Sequence, residues 1–180
     1  MKKITILLLL LIGNSIFAQK YFSKTGLTEL KASVETFEPI EAKNNSTSVV
    51  LNSETGEIAA LLFMKAFHFE IALMEEHFNE NYIESNKFPK ATFKGEIENF
   101  NLNQLDPKAK LKIKGVLSIR GKEKNIETTG SFEFRERKII LISKFVLLPQ
   151  DFNIKIPSIV RNKIANEINL FLKYELVEKK

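Results

Sequence analysis

The chain of 180 residues has no cysteine and no tryptophan, and holds only two histidines, five prolines and seven glycines. Without cysteine there is no disulfide framework, no thiolate metal site, no thiol nucleophile and no lipid anchor on an N-terminal cysteine. The two histidines, His68 and His77, form no His-Glu-x-x-His pattern or equivalent ligand cluster. The few glycines make neither a phosphate-cradling loop nor a Gly-x-Ser-x-Gly elbow. What is abundant is apolar: 44% of the residues are hydrophobic and 15 are Phe, so the chain can bury a core and is not a disordered one. Its length suits one domain.

The first eighteen residues read as a targeting segment. Lys2 and Lys3 precede an apolar run from Ile4 to Ile12, which closes on Gly13-Asn14-Ser15-Ile16-Phe17-Ala18. This is the pattern of a secretory signal peptide cut between Ala18 and Gln19. The expected layout is a signal peptide over 1–18 and one β-barrel domain over 19–180, with a periplasmic or secreted destination. No later stretch approaches the ~20 apolar residues of a transmembrane helix, so the mature protein is expected to be soluble. Cleavage removes two lysines from a net charge of +5. That bias is weak, and together with export it argues against a nucleic-acid partner.

Past residue 18 the dominant period is two, the mark of strands with one face buried. In Ala91 to Phe100, the residues Ala91, Phe93, Gly95 and Ile97 share a side; in Ala109 to Arg120, Leu111, Ile113, Leu117 and Ile119 do; in Asn125 to Arg135, Ile126, Thr128, Phe132 and Phe134 do. Weaker copies run over Thr28 to Thr36, with Leu30, Ala32 and Val34 on one face, and over Asn169 to Val177, with Leu170, Leu172, Tyr174 and Leu176. Glu57 to Phe69 and Lys138 to Leu148 are apolar on both faces, which predicts an outer cover of helix, loop or second subunit.

Short connections at Asn52 to Gly56, Arg120 to Glu123 and Arg135 to Arg137 favour neighbours joined antiparallel. Helix is predicted only over Ala72 to Asn79 and Ser158 to Asn166. About eight strands that bury one face must close on themselves or pair with a second sheet, and closure gives an all-β antiparallel barrel with one or two short helices. At eight strands the interior is either packed by side chains or holds one small ligand, and periodicity leaves both open.

The run from Phe67 to Ser85 carries Leu73-Met74 and His77-Phe78-Asn79, and is followed by Phe88-Pro89-Lys90-Ala91-Thr92-Phe93. This resembles the YceI-like family, with Phe88 where that family usually has Tyr. The Leu-x-Ile-x-Gly run of Leu111 to Gly115, Gly121-Lys122, and Asp151-Phe152-Asn153-Ile154 resemble its later landmarks, with Asn153 where Gly is frequent. Tyr21 to Leu30 lacks the family's usual Asp-x-x-His-Ser element. The resemblance implies a lipocalin-like barrel, exported in bacteria, whose long apolar cavity takes a polyisoprenoid or similar lipid for sequestration or transport.

On that reading the cavity-lining set is Leu30, Val34, Phe93, Ile97, Leu111, Ile113, Leu117, Ile126, Phe132, Phe134, Leu170, Leu172 and Tyr174. No catalytic residue, metal ligand or cofactor is expected, and the chain is not read as an enzyme. Glu75-Glu76 and Glu96/Glu98 are common pairings on wet faces. His68 and His77 read as rim or helix-packing residues. Lys108, Lys110, Lys112 and Lys114, with Lys122 and Lys124, read as a solvated sheet face, with anionic lipid headgroups as the alternative contact. The expected partner is a long-chain apolar lipid of isoprenoid or fatty-acid type, with peripheral membrane contact and a homodimer left open. The competing function is a dimeric stress-related scaffold whose barrel is filled.

Overall fold

The alternation becomes one antiparallel sheet in the computed structural model, which describes residues 19–33, 39–160 and 163–179. Its strands are β1 (Lys20–Ser33), β2 (Glu41–Asn52), β3 (Glu57–Phe63), β4 (His68–Phe69), β5 (Lys90–Ile97), β6 (Lys110–Ile119), β7 (Lys122–Arg135), β8 (Lys138–Leu147) and β9 (Ile164–Glu178). One short α-helix, α1 (Ala72–His77), lies among the described residues. The neighbours run β1, β9, β8, β7, β6, β5, β3, β2, and β2 pairs back onto β1. These eight strands close into a barrel and so remove both free edges. β4 is a two-residue pairing of His68 and Phe69 on the side of β2. The signal-peptide expectation, over 1–18, lies outside the described residues, as does Val34.

The sharpest turns follow from local chemistry. Between β6 and β7 the corner is Arg120-Gly121, with φ of +51° and +70°; between β7 and β8 it is Glu136-Arg137, with +53° and +62°. Two consecutive positive φ values make the primed turns whose twist matches that of the flanking strands. They set the register that pairs Ile113 with Thr128 and Phe132 with Leu141.

Three expectations change, and one strand, β2, has no forerunner among the alternating segments. β2 carries Asn44 and Thr47 at fully buried positions, so its alternation does not read as apolar against polar. It is held by the ladder to β1, whose register slips on either side of Gly26. The strand expected over Glu57 to Phe69 stops at Phe63, where Met64 donates its N–H to the Pro89 carbonyl at 2.9 Å and a 3-10 turn sends Phe67 inward. The helix expected over Ser158 to Asn166 is a 3-10 turn at Ser158–Val160, after which Ile164 pairs with Ser33 and the chain is strand. Pairing with β1 outcompetes a helix that Pro157 could only have begun. Finally, no helix or loop among the described residues covers the outer face of β8. Ile142 and Val146 are exposed there, and Lys144 instead lies over the Phe171 ring at 5.5 Å.

Two apolar clusters fill different heights of the barrel. One gathers Tyr21, Val49, Leu51, Ile97, Phe132, Ile139 and Leu176, with Phe100, Leu102 and Leu105 folded over it from the β5–β6 connection. The other is built by Ala42, Met64, Phe67, Ile83 and Ala91 at the opposite end, with Phe69 and Phe78 against it.

Candidate ligand cavity

Between the clusters lies a cavity of about 650 Å³ with an overwhelmingly apolar lining. Its floor is formed by side chains of the first cluster, Ile58, Ile113, Leu141 and Tyr174, all at most 5% exposed. Its rim includes Ile71 and Leu73 at the start of α1, the latter 57% exposed, and Ile156 and Val160 from the β8–β9 connection. The space therefore runs from the packed interior to solvent. β9 lines it with Ile164, Ile168, Leu170, Leu172 and Tyr174 in succession. Ten residues of strand span ~33 Å, and a tilt of ~35–45° leaves a depth of roughly 25 Å.

Of the residues expected inside, Leu30, Phe93, Ile113, Leu117, Ile126, Leu170, Leu172 and Tyr174 line the cavity. The Phe93 ring lies over the facing glycines Gly95 and Gly115, where any Cβ would strike it. Ile97 and Phe132 instead belong to the solid cluster, and Leu111 packs against it. Phe134 continues the inward parity of β7 but lies past the packed end, 44% exposed and edge-on to Tyr21. Parity assigns a face and says nothing of height along the barrel. The lining residues it misses are of two kinds: Ile58, Ala60 and Leu62 of β3 and Leu141, Phe145 and Leu147 of β8 lie on strands that are apolar on both faces, so parity does not assign them, and Met64, Phe67, Phe78, Phe152 and Ile154 come from connections with no strand period. The helical spacing of Met74, His77 and Phe78 was the one available signal.

The charged residues stay at the perimeter. His77 and Lys163 meet the cavity at its exposed rim. His68 is outside it, 3.6 Å from the Glu75 carboxylate through Nδ1. No group of three or more His, Asp or Glu that might hold a metal occurs among the described residues. The lysine row on β6 is crossed by carboxylates: Lys112 meets Glu127 at 3.1 Å, Lys114 meets Glu98, and Lys124 reaches Asp151 at 3.0 Å. Exposed pairs of this kind contribute ~0–1 kcal/mol each and offset the charge of Lys112, Lys114 and Lys124.

The floor is different. Thr28 Oγ1 lies 2.8 Å from Thr47 Oγ1 and 3.1 Å from the Tyr174 hydroxyl, and all three side chains are buried. Burial pushes the Tyr174 phenol up to about 12, against the pull of its threonine neighbours.

One guanidinium ties the mouth segments together. Arg120 donates from Nη2 to Glu84 Oε2 at 2.5 Å and from Nη1 to the Asn153 carbonyl at 2.6 Å, and stands over the Phe88 ring. Arg120, Glu84 and Asn153 have φ of +51°, +55° and +55°, so three non-glycine residues in the left-handed region meet at one clasp. Each sits next to a lining isoleucine: Ile119, Ile83 and Ile154.

Comparison with known proteins places this geometry. The family model of the YceI-like domain matches residues 20–176. The fold is similar to a polyisoprenoid binding domain from Saccharophagus degradans, implicated in plant cell wall breakdown, with a TM-score of 0.75 at 12% identity over 89% of this chain and 98% of that one. It is also similar to BcnA of Burkholderia cenocepacia, with a TM-score of 0.69 at 13% identity over 84% and 96% of the two chains. A YCEI protein of Campylobacter jejuni gives 0.63 at 17% identity over 80% and 87%. Identities this low speak to the lipocalin-like fold. A search of curated proteins found no match.

Proposed function

The chain belongs to the YceI-like family, and from that premise we propose that it is an exported binding protein that holds one long-chain apolar lipid, isoprenoid or fatty-acid type, in its barrel. The observation that carries this is the apolar cavity of about 650 Å³ running from a packed floor to an open rim. A methylene fills about the volume of a water in the liquid, ~30 Å³, so the space holds roughly twenty chain carbons. At ~0.8 kcal/mol per buried CH₂ that is ~16 kcal/mol of gross driving force. Association costs ~4–15 kcal/mol, so a chain of this length binds where a much shorter one does not. The polyisoprenoid-binding neighbour supports the ligand class.

The role is binding, for sequestration or transport, with no chemistry performed on the lipid. Lys2, Lys3 and the apolar run after them support export to a periplasm. At the rim, Ile71, Leu73 and Ile159 offer an aliphatic lip over which a chain can pass from a membrane surface. The competing scaffold requires a filled barrel, and only one end of this barrel is filled.

Mass spectrometry of an organic extract of the purified protein tests the reading. A stoichiometric lipid of about twenty chain carbons supports it. Protein that extracts clean from several hosts, and takes up no long-chain alkane or lipid when offered it, overturns it.

A further inference from the structure

At the cavity floor a cluster of buried hydroxyls lies at the bottom of an oily bore. Tyr174, Thr28 and Thr47 bring three hydroxyls together at 3% exposure or less. The position is built for the phenol: a Cβ on Gly26 would lie 2.6 Å from Tyr174 Cδ1, so only glycine lets the ring lie flat against β1. Thr28 and Tyr174 both face the cavity, whereas Thr47 stands behind them. The contacts among the three hydroxyls, including that of Thr47 with the phenol, take at most three protons and three of six lone pairs, so the cluster can accept from an alcohol directly and can give to a ketone by turning the Tyr174 hydroxyl off its 3.1 Å contact with Thr28. The neighbouring polar groups are spent: Ser143 donates to the Thr129 carbonyl at 2.8 Å, and Asn44 is bonded to Phe63 and Ser46. No charged side chain reaches this depth among the described residues; His77 and Lys163 meet the cavity only at the rim.

We propose that the floor receives the neutral polar end of the ligand, an alcohol or ketone-type oxygen hydrogen-bonded by Tyr174 and Thr28, with the hydrocarbon chain running out toward the rim. This deepens the lipid-holding reading and rests on it. A buried carboxylate or phosphate would lose its hydration with no cation to replace it, so anionic ends stay at the mouth. A phenol keeps its proton across the physiological range, and burial only strengthens this for Tyr174, so it remains a donor there.

The experiment compares four eighteen-carbon probes on the delipidated full chain: octadecane, stearyl alcohol, hexadecyl methyl ketone and stearate. The alcohol and ketone are expected to bind about five- to tenfold more tightly than octadecane, the return on one or two well-made hydrogen bonds. Tyr174→Phe, and separately Thr28→Val, should bring both down to the octadecane level while leaving octadecane itself unchanged. The infrared carbonyl band of the bound ketone should move to higher frequency in Tyr174→Phe, and this readout does not depend on affinity. If octadecane binds but the alcohol and ketone show no advantage, or if the variants weaken all four probes alike, the floor is merely structural and this proposal fails alone. If none of the four binds, the lipid-holding reading fails with it.

Discussion

The two ends of the barrel share the same strands and the same alternation, yet one is solid and the other hollow. At the solid end the inward positions carry Tyr21, Phe132 and Leu176, and the β5–β6 connection folds Phe100 edge-on to Phe132 at 5.6 Å with Leu102 and Leu105 beside it. At the hollow end the inward positions of β9 and β7 carry branched aliphatics and Thr128. The connections there, from Met64 to Phe88 and from Leu148 to Val160, build a wall around the opening and leave the space empty. A barrel of eight strands is on the border between packing and enclosing. What differs is where the aromatics of the connections lie: Phe100 crosses onto the strand core against Phe132, whereas Phe67, Phe78 and Phe152 pack into the wall and leave the middle open.

The largest expected effect breaks the solid end. Phe132→Ala removes a ring that is 1% exposed and pressed against Phe100, and should cost ~3–5 kcal/mol in urea unfolding. Leu172→Ala, on a wall that already faces a void, should cost about 2 kcal/mol, at the bottom of the range for such truncations. Equal costs at both sites would mean that the cavity collapses or is filled in solution.

The boundary between the ends titrates. Tyr174 has a folded-state pKa of about 12, against 10.0 for the ordinary phenol. The folded state therefore keeps its proton while the unfolded chain loses it. The stabilisation is complete below about pH 10 and is lost as pH rises through about 12, roughly 2–3 kcal/mol in all. Alkaline unfolding followed by circular dichroism should show this slope in the parent and a reduced one in Tyr174→Phe.

Filling the hollow end should separate binding from stability. Leu170→Trp places a large ring in the bore between Leu30 and Phe145. Uptake of a long-chain lipid is expected to fall more than tenfold, while the unfolding free energy changes by less than ~1.5 kcal/mol because the void absorbs the volume. Unchanged uptake would move the binding site elsewhere.

This contrast is also where the sequence was readable and where it was not. The alternations of β5, β6 and β7 and the turns at Arg120-Gly121 and Glu136-Arg137 were legible, because each is set by residues next to one another. The identical alternation of Phe132 and Ile126 could not tell core from cavity, since that depends on Phe100 arriving from another segment. β2 escaped because its buried Asn44 and Thr47 are satisfied by partners far along the chain: the Phe63 carbonyl and Thr28. The rim escaped for a related reason. Asn153 in place of glycine marks a left-handed turn, but nothing local announces that Arg120 and Glu84 will meet it there.

The smallest effect on stability is expected at that rim, where it should be the clearest in kinetics. Glu84→Gln removes one charge from a pair whose partners are 21% and 42% exposed, so the cost in unfolding free energy should be below ~1 kcal/mol. The same change loosens the clasp between the Ile83 segment and the Asn153 turn, which border the opening on two sides. Release of a bound fluorescent long-chain lipid should then accelerate several-fold, with the equilibrium occupancy of the deep cavity little altered because the bore itself is untouched. Arg120→Gln, which frees both segments at once, should accelerate release further, and combining the two changes should add little, since each removes the same contact. If release is unaffected by either substitution, the rim is a fixed aperture and exchange is governed by the hydrophobic free energy of the chain alone.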